Sequence, residues 1–140
     1  MKHFYFTFIG IVGGLITTAF GGWDTGLVTL LIFMGIDFVS GLILAGVFQK
    51  SKKTDSGCLE SSIGWKGLAR KCMTLFFVMI AYRLDLMIET DYIRDAVIIG
   101  FCANELISII ENAGLMGIPL PKVITKAVDV LVDKEDKNGK

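Results

Sequence analysis

The fold is decided by residues 27–49, which have the sequence LVTLLIFMGIDFVSGLILAGVFQ and carry a single charge, Asp37. At about 1.5 Å of rise per residue, a helix of this length covers the bilayer hydrocarbon, which is about 30 Å thick. A charged side chain near the middle of such a helix costs about 3 kcal/mol on insertion scales. The stretch therefore predicts a transmembrane helix in which Asp37 has a structural or functional role.

The overall composition agrees with a membrane protein. The chain has 140 residues, of which 53% are hydrophobic and two are proline, and its mean hydropathy is +0.63. Fourteen basic residues balance fourteen acidic ones, so no basic field indicates nucleic-acid binding. These values predict an all-α fold and a single small integral membrane domain.

Three further segments are apolar enough to be candidate spans, namely residues 4–20, 72–88 and 96–110. Residues 4–20 contain no charge, and the competing interpretation of them is a secretory signal peptide. Residues 96–110 are less apolar, so they either cross the membrane or lie along its surface. The sequence predicts three to four transmembrane helices, and four spans would leave both termini on the same side.

The loop of residues 50–71 is rich in positive charge and is predicted to determine the topology. Its basic residues are Lys50, Lys52, Lys53, Lys66, Arg70 and Lys71. Because loops rich in lysine and arginine stay in the cytoplasm, this loop and both termini are predicted to be cytoplasmic. Residues 119–140 are predicted to form an amphipathic helix that ends in a charged tail.

Small residues surround Asp37 on one face of the predicted second span. Asp37, Gly41 and Ala45 are four residues apart, with Ser40 beside them, so their face is suited to close helix packing. Either Asp37 only specifies which helices pair, or its protonation or hydration also gates an opening. A second packing signal is the GxxxG pair of Gly10 and Gly14 in the first span.

Polar residues form a stripe along the predicted helix of residues 96–110 and just beyond its end. They recur at helical spacing and are Asn104, Glu105, Ser108 and Asn112. This stripe either lines water or faces lipid headgroups and other helices. Arg83 and Asp85, at the far end of the preceding span, are expected to reach toward the membrane interface.

No arrangement of side chains indicates catalysis. The three cysteines and the single histidine lack the spacing of a metal site, and no nucleophile is paired with a base. We therefore predict that the chain is not an enzyme and that it uses no cofactor or metal.

Three blocks in order along the chain resemble the toxin secretion/phage lysis holin family of TcdE-like bacteriophage holins. The blocks are residues 34–41 around Asp37, residues 60–71 with two serines and two glycines before a basic end, and residues 104–112. The similarity extends over roughly residues 27–131 and includes a span that ends in Leu84 and Asp85.

The resemblance implies a phage or prophage protein in the cytoplasmic membrane of a bacterial host. Holins accumulate harmlessly, then form homo-oligomeric lesions that release an endolysin, a functional partner that need not touch the holin; some relatives export toxins. The resemblance thus implies lysis by pore formation.

Two other classes of function stay open at the level of sequence. A small proton-coupled multidrug-type transporter also has four short spans and an intramembrane carboxylate, but that carboxylate would be expected in the first span. A passive membrane scaffold would need only the packing faces.

Overall fold

The computed structural model describes residues 1–139, and helices make up most of those residues. No strand occurs in this described part of the chain, so the predicted all-α class is confirmed. The elements are α1 (Lys2–Phe20), α2 (Thr25–Ile43), a π-helical turn (Leu44–Phe48), α3 (Ser61–Ile88), α4 (Ile93–Leu115) and α5 (Lys122–Asn138).

The helices are longer than the predicted spans. Helix α3 begins at Ser61, so the second half of the predicted basic loop, residues 61–71, is helical. The loop was inferred from charge, and charge keeps a residue out of hydrocarbon without preventing a helix in a segment that lacks proline. By length and composition, α1 and Thr25–Phe48 are the two helices of the described residues apolar enough to cross a membrane.

A tight turn joins α1 to α2. Gly21 ends α1 in the left-handed conformation with φ of 77°, and the Gly22 N–H donates to the Thr17 carbonyl at 2.8 Å. Asp24 then caps α2, because its carboxylate accepts a hydrogen bond from the Leu27 N–H at 2.9 Å. This short turn joins the two helices, and α1 packs against α3.

Helix α4 lies at the centre of the protein, where it packs against α2, α3 and α5. The core between these helices is made of six buried residues, Leu27, Leu30, Met34, Val78, Ile98 and Cys102. Each large apolar side chain in such a core contributes about 1.5–3 kcal/mol. This packing fixes α2, α3 and α4 relative to one another.

Helix α1 is different, because none of its residues is buried. Phe4, Phe6, Ile9 and Leu15 are each about two thirds exposed or more. A contiguous apolar surface of this size is normally covered by lipid or by another protein. Helix α1 thus presents the kind of surface that a bilayer covers.

Gly21→Ala is expected to destabilise the protein by about 1–3 kcal/mol. Besides the strained backbone, the added Cβ would lie 2.6 Å from Cδ2 of the Tyr82 ring, so the ring would have to shift. Thermal melting of the purified protein in detergent measures the effect. Gly35→Ala is the control, since nothing lies within 4 Å of a Cβ at that helical position; equal melting temperatures for the two variants would contradict the prediction.

Candidate functional site

Three charged side chains meet between α2, α3 and α4. The Lys71 ammonium lies 2.7 Å from Asp37 Oδ2 and 2.6 Å from Glu105 Oε2, so it bridges the two carboxylates. The side chains of Lys71, Asp37 and Glu105 are only 13%, 8% and 14% exposed. We call these three residues the ionic cluster.

The ionic cluster follows from the cost of burying charge. A carboxylate withdrawn from water is stabilised when a cation and hydrogen bonds compensate it, and Lys71 compensates two at once. With two carboxylates and one ammonium ionised, the cluster carries one excess negative charge. The ionic cluster therefore joins three helices, and hydration of its charges would be favourable.

Other predicted residues extend the contact between α2 and α4. The Asn112 side-chain amide donates to Ser40 Oγ at 2.9 Å, and the Ser40 hydroxyl donates to the Asp37 carbonyl at 3.0 Å. A Cβ at Gly41 would lie 3.9 Å from the Asn112 amide nitrogen, and Ala45 is buried. The structure thus brings the small-residue face of α2 against the polar stripe of α4.

A cavity of about 260 Å³ adjoins the ionic cluster on the side of the loop that precedes α3. Ser108 and Asn104 line it together with the cluster, and Asn104 is largely exposed. Asp37 Oδ1 is buried without a hydrogen-bond partner among the described residues. Asp37 also lines the cavity, which has room for about eight waters at about 30 Å³ per water molecule.

Lys71 has a role that the sequence did not indicate. The sequence predicts it to be one of the topology-determining basic residues, but in the structure Lys71 is the cation of the ionic cluster. The other basic residues of that set are exposed, namely Lys50, Lys52, Lys53, Lys66 and Arg70. A usable signal was the buried Asp37 itself, since such a carboxylate requires a cation nearby.

The GxxxG pair in α1 does not pack within the chain. Nothing lies within 4 Å of a Cβ built at Gly10 or Gly14. Any close packing at this pair would therefore involve another molecule.

A second polar centre lies at the opposite ends of the helices. The buried Arg94 guanidinium donates to the carbonyls of Phe20 and Gly22 and lies 2.6 Å from Asp24 Oδ2. The hydrogen bond from this guanidinium holds the pKa of the Asp24 carboxyl below its ordinary value. Arg94, which sequence reasoning missed, fastens the α1–α2 turn to the start of α4.

Asp85 is part of the same centre, and it does not reach outward as expected but is buried within the protein. It is only 5% exposed and accepts hydrogen bonds from the Thr90 hydroxyl at 2.7 Å and from the Ile93 and Arg94 N–H groups at 3.0 and 2.8 Å. The cause is the α4 N-terminus, whose free N–H groups attract a carboxylate. Arg83, by contrast, is exposed as expected.

Asp85→Asn is expected to lower the free energy of unfolding by about 1–2 kcal/mol, because one oxygen that caps α4 becomes an amide donor. Thermal melting in detergent measures this loss. Asp91→Asn is the control, because it makes the same substitution at an exposed aspartate nearby. If both variants melted at the parent temperature, the capping role of Asp85 would be refuted.

These features define a class: small all-helical proteins with exposed apolar helices around an interior that holds paired charges. The chain belongs to the bacteriophage holin family, whose model matches residues 14–133. It is accordingly a membrane protein with a holin role, and family membership favours a non-enzymatic function.

Relatives extend over most of the chain. It is 37% identical over 139 residues to an uncharacterized protein of Listeria innocua, an alignment that covers 94% of each chain. It is 35% identical over 130 residues to a 14.9 kDa protein of Clostridium perfringens, covering 90% of this chain and 92% of the relative. A probable holin of Bacillus phage phi105 is 28% identical over 109 residues, covering 77% of this chain and 75% of the relative. No solved structure matches the chain.

Proposed function

We propose that the protein is a holin that crosses the host cytoplasmic membrane four times, at residues 4–20, 27–49, 72–88 and 96–110. Both termini and the loop of residues 50–71 face the cytoplasm in this proposal. The protein accumulates, oligomerises and opens lesions through which an endolysin, or in some hosts a toxin, leaves the cell. The observation that carries the proposal is the family match over residues 14–133.

The ionic cluster supplies a physical basis for delayed opening. A dispersed holin must keep its charges paired, because an unpaired charge in hydrocarbon is costly. In the lesion, water enters the cavity beside the cluster and solvates the same charges. The excess negative charge and the unpartnered Asp37 Oδ1 favour this hydrated state. The ion pairs therefore stabilise the dispersed protein, and hydration of the same charges stabilises the lesion.

Co-expression with an endolysin tests the proposal. We expect turbidity to fall abruptly after a fixed delay when both proteins are present, and neither protein alone to clear the culture. Substrate-stimulated proton uptake in vesicles without any lysis would support a transporter instead. Neither activity would indicate a scaffold.

Asp37→Asn is expected to delay lysis. The substitution leaves one ammonium and one carboxylate, Lys71 and Glu105, so the cluster has no net charge. Hydration of the cluster then gains less free energy, and the closed state lasts longer. Turbidity of cultures that also express the endolysin measures the onset, with the exposed Asp55→Asn as control. Lysis at the normal time and yield would show that Asp37 has no part in opening.

A further inference from the structure

Helix α5 folds back along α4. The chain turns after Met116 through Gly117, which has φ of 81°, and helix α5 (Lys122–Asn138) then packs against α4. At the far end of this contact, Glu135 Oε1 lies 2.8 Å from the position of a Cβ at Gly100. Because Gly100 has no side chain, the Glu135 side chain can lie against the α4 backbone.

Helix α5 makes this contact with a narrow apolar edge. Only Val128, Leu131 and Val132 are partly buried, and every other residue of the helix is exposed. The exposed residues include eight charged ones: Lys122, Lys126, Asp129, Asp133, Lys134, Glu135, Asp136 and Lys137. The outward surface of α5 therefore carries eight charges, beside the exposed apolar side chains of Val123, Ile124 and Val130.

The depth of the contact makes this surface incompatible with lipid. Gly100 is seven residues after Ile93, the first residue of α4, which is about 10 Å along the helix axis at 1.5 Å per residue. In the proposed four-span topology this position lies within the bilayer. Each exposed lysine or aspartate there would cost up to about 3 kcal/mol against hydrocarbon, so α5 can occupy this position only where its outer surface meets water.

We propose that α5 lines the water-filled lumen of the lesion, with its apolar edge on α4 and its charged surface toward the lumen. In the dispersed protein, α5 stays on the cytoplasmic side and does not enter the bilayer. This inference rests on the proposed holin function and assigns the hydrophilic wall of the lesion to one segment of the chain.

The rest of the structure gives each subunit the second surface that a lesion wall requires. The exposed apolar helix α1 contacts α3, whereas α5 contacts α4. One subunit therefore carries an apolar surface suited to lipid and a charged surface suited to water on different helices of the same bundle.

A cysteine pair across the α4–α5 contact tests the inference. Gly100→Cys and Glu135→Cys are introduced into a full-length chain in which Cys58 and Cys72 are serine and Cys102 is alanine. Membranes are collected before and after the onset of lysis, which is timed in a parallel culture with endolysin, and are treated with a copper–phenanthroline oxidant. We expect an intrachain disulfide only after onset, because Cβ atoms must approach to about 4 Å for the bond to form.

The control pair combines Gly100→Cys with Asp136→Cys, one residue further along and on the exposed side of α5. It should form much less disulfide in the same membranes. A 100–135 disulfide of equal yield before onset would overturn the proposal, since α5 would then lie on α4 in the closed protein. Failure to cross-link after onset would overturn it equally.

A second measurement avoids any substitution at the packed position. Spin labels are placed at the exposed sites of Asp91→Cys and Lys137→Cys in the cysteine-free chain. We expect the distance between labels to exceed about 30 Å before onset, a bilayer thickness, and to shorten well below it afterwards. An unchanged distance would refute the movement of α5. Lysis by the reduced variants separates this outcome from a failure of the holin function itself.

Discussion

Lys71→Met is expected to lower the free energy of unfolding by about 3–5 kcal/mol, because it leaves two buried carboxylates without a cation. Asp37 and Glu105 then repel each other across the contact between α2 and α4. Thermal melting in detergent measures the loss. In cells we expect lysis to begin early, because the closed bundle loses the two ion pairs through which Lys71 joins its three helices.

Two controls isolate the ionic cluster from the lysine side chain. Lys66→Met removes an exposed ammonium from the same helix and should leave melting and lysis unchanged. The triple variant Asp37→Asn, Lys71→Met, Glu105→Gln removes all three charges together and should recover most of the stability, because no unpaired charge remains buried. If Lys71→Met behaved like Lys66→Met, the cluster would not hold the helices.

Arg94→Ala is expected to cost about 2–3 kcal/mol, the next largest effect. It leaves the carbonyls of Phe20 and Gly22 without their donor and opens a space at the start of α4. The cost is smaller than at Lys71 because the side chain of Asp24 is 48% exposed and water can solvate it. Arg83→Ala, at an exposed arginine of α3, is the matched control for melting temperature.

The same pair has a defined pH dependence. The pKa of Asp24 in the folded protein lies below its ordinary value of 3.8, so the ionised pair contributes fully above that value. This contribution is lost as the pH falls through the lowered pKa of the folded state. The difference in melting temperature between the parent and Arg94→Ala should therefore be constant from about pH 8 to pH 5 and decrease only below about pH 4. A steady decrease across the neutral range would rule out this pair as the cause.

The periodicity of the sequence predicted a packing face around Asp37 and a polar stripe around Glu105, but not that the two meet. Each face can be located from its own helix, whereas their pairing depends on how α2 and α4 are placed in the bundle. The cation between them was not predictable in the same way. Six basic residues lie between residues 50 and 71, and selecting Lys71 requires the rotation of α3, which depends on where that helix begins.

The centre around Arg94 and Asp85 was harder to predict for a different reason. Its partners are backbone groups in two short turns, including the Phe20 and Gly22 carbonyls and the Ile93 N–H. Whether a carbonyl or N–H is free depends on the local backbone geometry, which side-chain types do not specify. The sequence thus identifies polar and small-residue faces of helices better than it identifies hydrogen bonds at helix ends.

The two polar centres fasten the bundle unequally, and this sets a direction for its opening. Around Arg94, several hydrogen bonds join the α1–α2 turn, the end of α3 and the start of α4. Toward the loop that precedes α3, the helices are joined by the Lys71 ammonium and by the hydrogen bond between Asn112 and Ser40. We therefore expect water to enter the bundle first at the Lys71 end, while the Arg94 end stays closed. In the proposed topology the Lys71 end faces the cytoplasm, the compartment that holds the endolysin.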